Sequence, residues 1–155
     1  MELTHFDSQG NAIMVDVSTK DETVRIARAT ATICAQHNTI DMIRQGTHKK
    51  GDVLGVARVA GIMAAKRTAD LIPMCHPIPL EGVSVDFDIQ DDRVIITTEL
   101  RTTYKTGIEM EAIVAANIAA CTIYDMCKAV DRGMTITDVR LTYKSGGKSG
   151  VFQQP

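Results

Sequence analysis

Tryptophan is absent from this 155-residue chain, and aromatic residues of all kinds make up 4% of it. Few side chains can therefore stack on nucleic-acid bases, and a formal net charge of −2 gives no general attraction to a phosphate backbone. No nucleic-acid partner is expected. The four cysteines (Cys34, Cys75, Cys121 and Cys127) form no CxxC pair, and their spacings match no common zinc pattern. Free thiols in a reducing compartment are expected, not disulfides or a metal centre. No uninterrupted apolar run reaches the roughly 18 residues of a membrane span, and Met1-Glu2-Leu3 opens no signal peptide. The chain reads as cytoplasmic, with no membrane partner. Apolar residues at 45% and charged residues at 23% suit one globular domain over 1–155.

Proline is scarce as well, and its placement is informative. Three of the four prolines (Pro73, Pro77 and Pro79) fall inside LIPMCHPIPLEG, residues 71–82, around Met74, Cys75 and His76. One Cys and one His without further ligand spacing do not fill a tetrahedral metal shell. Adjacent residues in an extended segment point opposite ways, which disfavours a Cys–His nucleophilic pair. A stiff turn around a buried His and a rigid rim for a small molecule both remain.

Periodicity gives the elements. Met14–Val17 reads as a short strand. Thr23–Cys34 alternates Ala29, Ala31 and Ile33 with Thr30, Thr32 and Cys34, a strand pattern. A short helix is predicted over Asn38–Gln45, with Asn38 or Thr39 as N-cap and Gly46 as stop. Asp52 caps a longer helix to about Leu71, so rich in Ala and Gly that close backbone approach to another element is expected. Val83–Gln90 and Arg93–Thr103 form an antiparallel hairpin around Asp91-Asp92. Ile108–Val130 is the longest helix and Val139–Lys144 the last strand. From Thr23 onward the order is β, α, α, β, β, α, β. The fold class is therefore α+β, a ferredoxin-like split βαβ with one added helix, its antiparallel sheet covered by helices on one face. The other sheet face is expected to expose apolar residues, with oligomerisation as the remedy.

Charge collects locally despite the balanced total. Arg44, His48, Lys49 and Lys50 precede the helix opened by Asp52, and Lys66 and Arg67 follow. A helix N-terminus also offers free N–H groups to an anion. A solvated basic face explains this equally well. KSGGKSG (144–150) adds two lysines in a Gly/Ser frame, either a flexible end or a loop closing over phosphates. On the long helix, Asp125 and Lys128 share a face, as a surface ion pair or as groups that tune each other for proton transfer. Glu111 and Asp125 share a face too, but at about 1.5 Å per residue they lie roughly 21 Å apart. One small ligand can hardly meet both, so the two ends are expected to serve different copies of a site built across a subunit boundary.

Six stretches, in order, are similar to one family: MVDVSTK (14–20), KGDV (50–53), AGIMAAKRTADLIPMCHPIPL (60–80), KTGIEMEA (105–112), TIYDMCKAV (122–130) and KSGGKSG (144–150). The chain resembles the cyclic pyranopterin monophosphate synthases, the molybdenum cofactor biosynthesis protein C family. The resemblance implies a ferredoxin-like subunit and a homo-oligomer, a hexamer built as a trimer of dimers with sites at dimer interfaces. It implies a lyase reaction: (8S)-3′,8-cyclo-7,8-dihydroguanosine 5′-triphosphate becomes cyclic pyranopterin monophosphate with release of pyrophosphate. By the same resemblance Asp125 and Lys128 are the catalytic pair, with Lys50 beside them. Met74, Cys75, His76, Glu109, Met110, Glu111, Lys66 and Arg25 contact the nucleotide-derived substrate, and Arg67, Lys144 and Lys148 are secondary cations. No resident cofactor or metal is implied, though Mg²⁺ can accompany the triphosphate. Two rival readings keep the same fold or product: a non-catalytic nucleotide sensor, and a pterin-forming enzyme acting directly on guanosine triphosphate, which would call for a metal site.

Overall fold

In the computed structural model, residues 3–155 are described, and they form a five-stranded antiparallel sheet with four helices. The elements are β1 (Thr23–Cys34), α1 (His37–Gln45), α2 (Val53–Lys66), α3 (Thr68–Leu71), β2 (Gly82–Ile89), β3 (Arg93–Tyr104), α4 (Glu109–Cys127), β4 (Thr135–Ser145) and β5 (Phe152–Gln153). The strand order is β2-β3-β1-β4-β5. Its first four strands reproduce the split βαβ arrangement, and the fold is ferredoxin-like α+β.

Alternation decides which face of the sheet is buried. Val85, Ile96, Ala29 and Thr98 fall in register on one face, as do Leu100, Ala27, Val94 and Ile33, and all are buried. α4 lies over this face, and Thr98 Oγ1 donates to the Ala112 carbonyl at 2.9 Å. α2 packs on α4 and on β2. Gly61 is the contact point: a Cβ there would lie 3.0 Å from the Ala115 carbonyl, 3.2 Å from Val85 Cγ2 and 3.4 Å from Ala119 Cβ. The close approach expected from the Ala/Gly-rich helix is therefore made against α4. The two helices run antiparallel, since Lys50, just before α2, reaches the Asp125 carbonyl near the end of α4 at 3.1 Å.

Several expectations are corrected. Met14–Val17 is not a strand; both sheet edges belong to β2 and β5, and the segment is an irregular stretch whose Val15 carbonyl is bonded by His76. Neither Asn38 nor Thr39 caps α1, which starts at His37 after Gln36. The buried carboxylate of Asp131 instead accepts from the Gln36 N–H (2.8 Å) and the Thr39 hydroxyl (3.1 Å), a partner 95 residues away that no local pattern reveals.

The second predicted helix does not run unbroken to Leu71. It stops at Arg67 (φ −108°, ψ 10°), where the Thr68 hydroxyl turns back onto the Ala64 and Ala65 carbonyls. α4 ends at Cys127 rather than Val130, and β4 begins at Thr135, four residues before the prediction, with Asp138 at φ 51° beside a register shift. β5 was not foreseen.

The outer sheet face also differs. It carries Ser84, Asp86, Asp88, Thr97, Glu99 and Arg101, with Arg28 paired to Glu99 and stacked over Tyr143. Val24 on this face is 45% exposed, and a further exposed apolar stripe lies on α2, where Val56, Val59 and Met63 are 47%, 57% and 56% exposed. α4 has the length and hydropathy of a membrane span, but 56% of its apolar window is buried inside the fold, as befits a core helix.

Gly61→Val should wedge α2 from α4. We expect a loss of about 2 kcal/mol, or roughly 4–8 °C in Tm, measured by thermal unfolding. An unchanged Tm would show that the helices do not meet there.

Candidate active site

The predicted site residues fall into two groups at opposite ends of α4. At its N-terminal end two clefts adjoin. The larger, about 770 Å³, is lined by Lys20, Arg25, Lys105, Lys144 and Lys148 together with Asp16, Asp21 and Glu109. Among the described residues that is five cations against three carboxylates, a net positive basin. The smaller, about 290 Å³, is lined by Met74, Cys75, His76, Met110 and Glu111. Lys20, Thr106, Gly107 and Glu109 border both, so the clefts are one continuous groove.

Local chemistry explains how each side chain is held. The proline-rich rim is tied to the sheet by the Thr102 hydroxyl, which donates to the Pro79 carbonyl at 2.6 Å. His76 Nε2 meets the Val15 carbonyl at 2.7 Å; because a carbonyl only accepts, this nitrogen bears the hydrogen. Burial pushes the Cys75 thiol up, helped by Glu111 and Glu109, so the thiol stays protonated. A protonated thiol is a poor nucleophile.

The glycines of KSGGKSG allow the loop to fold onto Arg25. Gly146 and Gly147 have φ of 96° and 77°, and a Cβ on them would collide with the Val24 carbonyl and the Arg25 guanidinium respectively. Arg25 is fixed from the other side by the Tyr104 carbonyl at 3.3 Å. Lys144 pairs with Glu109 at 2.9 Å and also reaches Ser149 at 2.7 Å. Lys105 donates to the Ser18 carbonyl at 3.1 Å.

Glu111 is the anomalous group. It is 3% exposed, and burial, reinforced by the Glu109 carboxylate, raises its carboxyl to about 7. It is therefore a carboxyl that can hold or release a proton near neutrality.

The second group lies at the far end. Lys128 Nζ and an Asp125 carboxylate oxygen are 2.8 Å apart, and both are exposed. The Lys128 ammonium, and then Lys50, lower the Asp125 carboxyl; Asp125 in turn raises Lys128. The pair rests as carboxylate and ammonium. Lys66 lines neither cleft; the antiparallel crossing carries it, at the end of α2, toward the N-terminal end of α4. Arg67 pairs with Asp70 at 3.7 Å. Lys20 and Lys105 were not singled out from the sequence, although each is the charged end of a quoted motif, MVDVSTK and KTGIEMEA.

A ferredoxin-like fold with a basic groove, a near-neutral buried carboxyl and a separate Asp/Lys pair has the chemistry to hold a polyanion and to move protons. The profile of the MoaC family matches residues 14–147, and the chain belongs to that family. It is 58% identical to the cyclic pyranopterin monophosphate synthase of Clostridium perfringens (strain 13 / Type A) over 153 residues, covering 97% of each chain. It is 58% identical to the same-named protein of Desulforamulus reducens over 154 residues, covering 99% of this chain and 94% of the relative. It is 55% identical to cyclic pyranopterin monophosphate synthase 3 of Mycobacterium tuberculosis (strain ATCC 25618 / H37Rv) over 153 residues, covering 98% and 86%.

The Glu111 carboxyl makes stability depend on pH. Its folded-state value of about 7 lies above the ordinary 4.5, so the folded chain binds the proton more tightly than the unfolded one. The contribution is fully present below about 4.5 and is lost as pH rises through 7, by at most about 3 kcal/mol. Glu111→Gln should flatten urea-unfolding stability across this window and stand above wild type at pH 8. A variant with the wild-type slope would place the titration on another group.

Proposed function

We propose that this chain catalyses the conversion of (8S)-3′,8-cyclo-7,8-dihydroguanosine 5′-triphosphate to cyclic pyranopterin monophosphate and pyrophosphate, a lyase step of molybdenum cofactor biosynthesis in the cytoplasm. The observation that carries the reading is the groove at the start of α4, which joins a basic basin to a rim of Met74, Cys75, His76 and Met110 around a carboxyl near neutrality. The basin suits a triphosphate of about four negative charges, and the smaller rimmed cleft suits its ring system. Arg25, Lys144 and Lys148, with Lys20 and Lys105, neutralise the phosphates and the departing pyrophosphate. Lys144 is released from Glu109 as phosphate takes its place.

The proton transfers belong to Asp125, Lys128 and Lys50, with Glu111 as a further donor or acceptor. Lys128 begins as an ammonium and so acts first as acid; Asp125 begins as a carboxylate and so acts first as base. No resident cofactor is assigned to these steps, and Mg²⁺ would enter with the triphosphate as part of the substrate.

The two groups of residues come together across a homodimer, the unit of a hexamer. α2 is 14 residues long, and its exposed stripe Val56, Val59 and Met63 is centred on its middle. Antiparallel pairing of two α2 helices through this stripe buries it about a two-fold axis. The same pairing lays the Lys50 end of one chain beside the Lys66 end of the other. Asp125 and Lys128 of one subunit then face Glu111 and His76 of its partner.

The non-catalytic sensor is separated from this reading by pyrophosphate release on incubation with the cyclic triphosphate, expected from the wild type and absent from a sensor. Lys50→Ala and Lys128→Ala should abolish turnover with the oligomer intact by size-exclusion chromatography, and Asp125→Asn should bind substrate without turning it over. Turnover retained in any of these would remove the role given to that residue. Complementation tests the shared site. Lys128→Ala and Glu111→Gln subunits, each inactive alone, should regain about a quarter of wild-type activity when randomly mixed, since half the dimers are mixed and each has one intact site. Mixed oligomers with no recovered activity would confine the site to one chain.

A further inference from the structure

His48 is 8% exposed, and its Nε2 is buried with no hydrogen-bond partner among the described residues. Its other nitrogen is occupied: Nδ1 accepts from the Lys50 backbone N–H at 3.1 Å. An accepting Nδ1 in the neutral ring places the hydrogen on Nε2, the atom left without a partner. A buried polar atom in that state is costly, and an apolar residue of the same size would avoid the cost. Stability alone does not account for an imidazole here.

What the ring does is brace one backbone position. The His48 carbonyl also accepts from Gly51 N–H at 2.9 Å, and Gly51 adopts φ 91° to close the turn. Beyond the turn, Asp52 Oδ1 caps α2 by accepting from Gly55 N–H at 2.9 Å. Lys50 therefore sits between two fixed points, the buried ring behind it and the capped helix ahead. Its own side chain is exposed, yet Nζ reaches the Asp125 carbonyl. A long, flexible lysine held so close to the Asp125/Lys128 pair has to leave a backbone that does not wander.

We infer that His48 is a positioning residue for Lys50: its Nδ1 fixes the Lys50 backbone so that the ammonium is presented beside Asp125 and Lys128. The inference rests on the proposed reaction for its kinetic consequence, but the contact itself can be tested separately. In His48→Asn the side-chain oxygen stands near the place of Nδ1 and can keep the bond to Lys50 N–H, as an Asx turn. In His48→Gln the oxygen stands near the place of Nε2 and the bond is lost. Both variants are polar and both lose the ring, so their difference isolates the acceptor.

Hydrogen-exchange mass spectrometry of the peptide carrying Lys50 should show wild-type protection in His48→Asn and about tenfold faster exchange in His48→Gln. In steady-state kinetics kcat should fall about tenfold in His48→Gln, with KM moved less than about threefold, and stay within about twofold of wild type in His48→Asn. Equal losses in the two variants, no loss in His48→Gln, or a loss confined to KM would overturn the assignment. A wild-type protein that releases no pyrophosphate would sink the proposed reaction instead, and the exchange comparison would still decide whether His48 holds Lys50.

Discussion

The architecture depends on the antiparallel contact between α2 and α4, and on Gly61 at its centre. Because no side chain separates Gly61 from the Ala115 carbonyl, the helices approach more closely than Leu or Ile would allow. Ala119 lies against the same point, and Ala57, Ala64 and Ala65 on one helix and Ala112, Ala115 and Ala116 on the other are buried as well. Small residues contribute little transfer free energy each, so cohesion comes from close packing over the whole length of α2. The same contact places the candidate site residues: it joins Lys50 to the Asp125 end of α4 and turns the outer stripe of α2 to solvent.

The groove shows how a basic site is kept from being merely a repulsive cluster. Lys144 is held by Glu109, Lys105 by a backbone carbonyl, and Arg25 by the Tyr104 carbonyl and the Gly146-Gly147 turn. These three cations are oriented without a ligand, so an anion bound there would have little ordering left to supply. The Glu109 carboxylate that holds Lys144 is an exchangeable partner, since a phosphate oxygen can take over the same donor.

Much of this was legible in the sequence, and the remainder follows a physical rule. Thr23–Cys34, the hairpin and the long helix were readable because their periodicity is sustained and one face is buried. Asp52 and Gly46 were readable because capping is local. The cap of α1 was not, because Asp131 comes from 95 residues away. Met14–Val17 alternates like a strand yet has no sheet edge to join, a fact of topology rather than of residue type. The outer sheet face was only partly read for a related reason: Thr, Asp and Arg on it satisfy the strands without a second layer beside an exposed Val24, while a further apolar stripe sits uncovered on α2. Met74, Cys75, His76, Met110 and Glu111, named from motifs, line one cleft; Lys20 and Lys105 needed the fold, which brings two motif ends to one basin.

The two carboxyl groups on α4 carry the chemical logic furthest. Glu111 and Asp125 belong to one helix and the same residue class, yet their environments drive them in opposite directions. Glu111 is buried beside another carboxylate and rises to about 7; Asp125 is exposed beside two ammonium groups and falls below the ordinary range. Within one chain that contrast is unused, because about 21 Å of helix separates the two. In the dimer proposed above, an antiparallel α2 pair would bring a carboxyl that titrates near 7 from one subunit to face a carboxylate and an ammonium from the other. Ring opening and closure in a purine-derived substrate need donors and acceptors poised at different values in the same space. Two environments on one rigid helix, brought together by the symmetry of the proposed dimer, would supply them without requiring a single chain to bury opposing charges side by side.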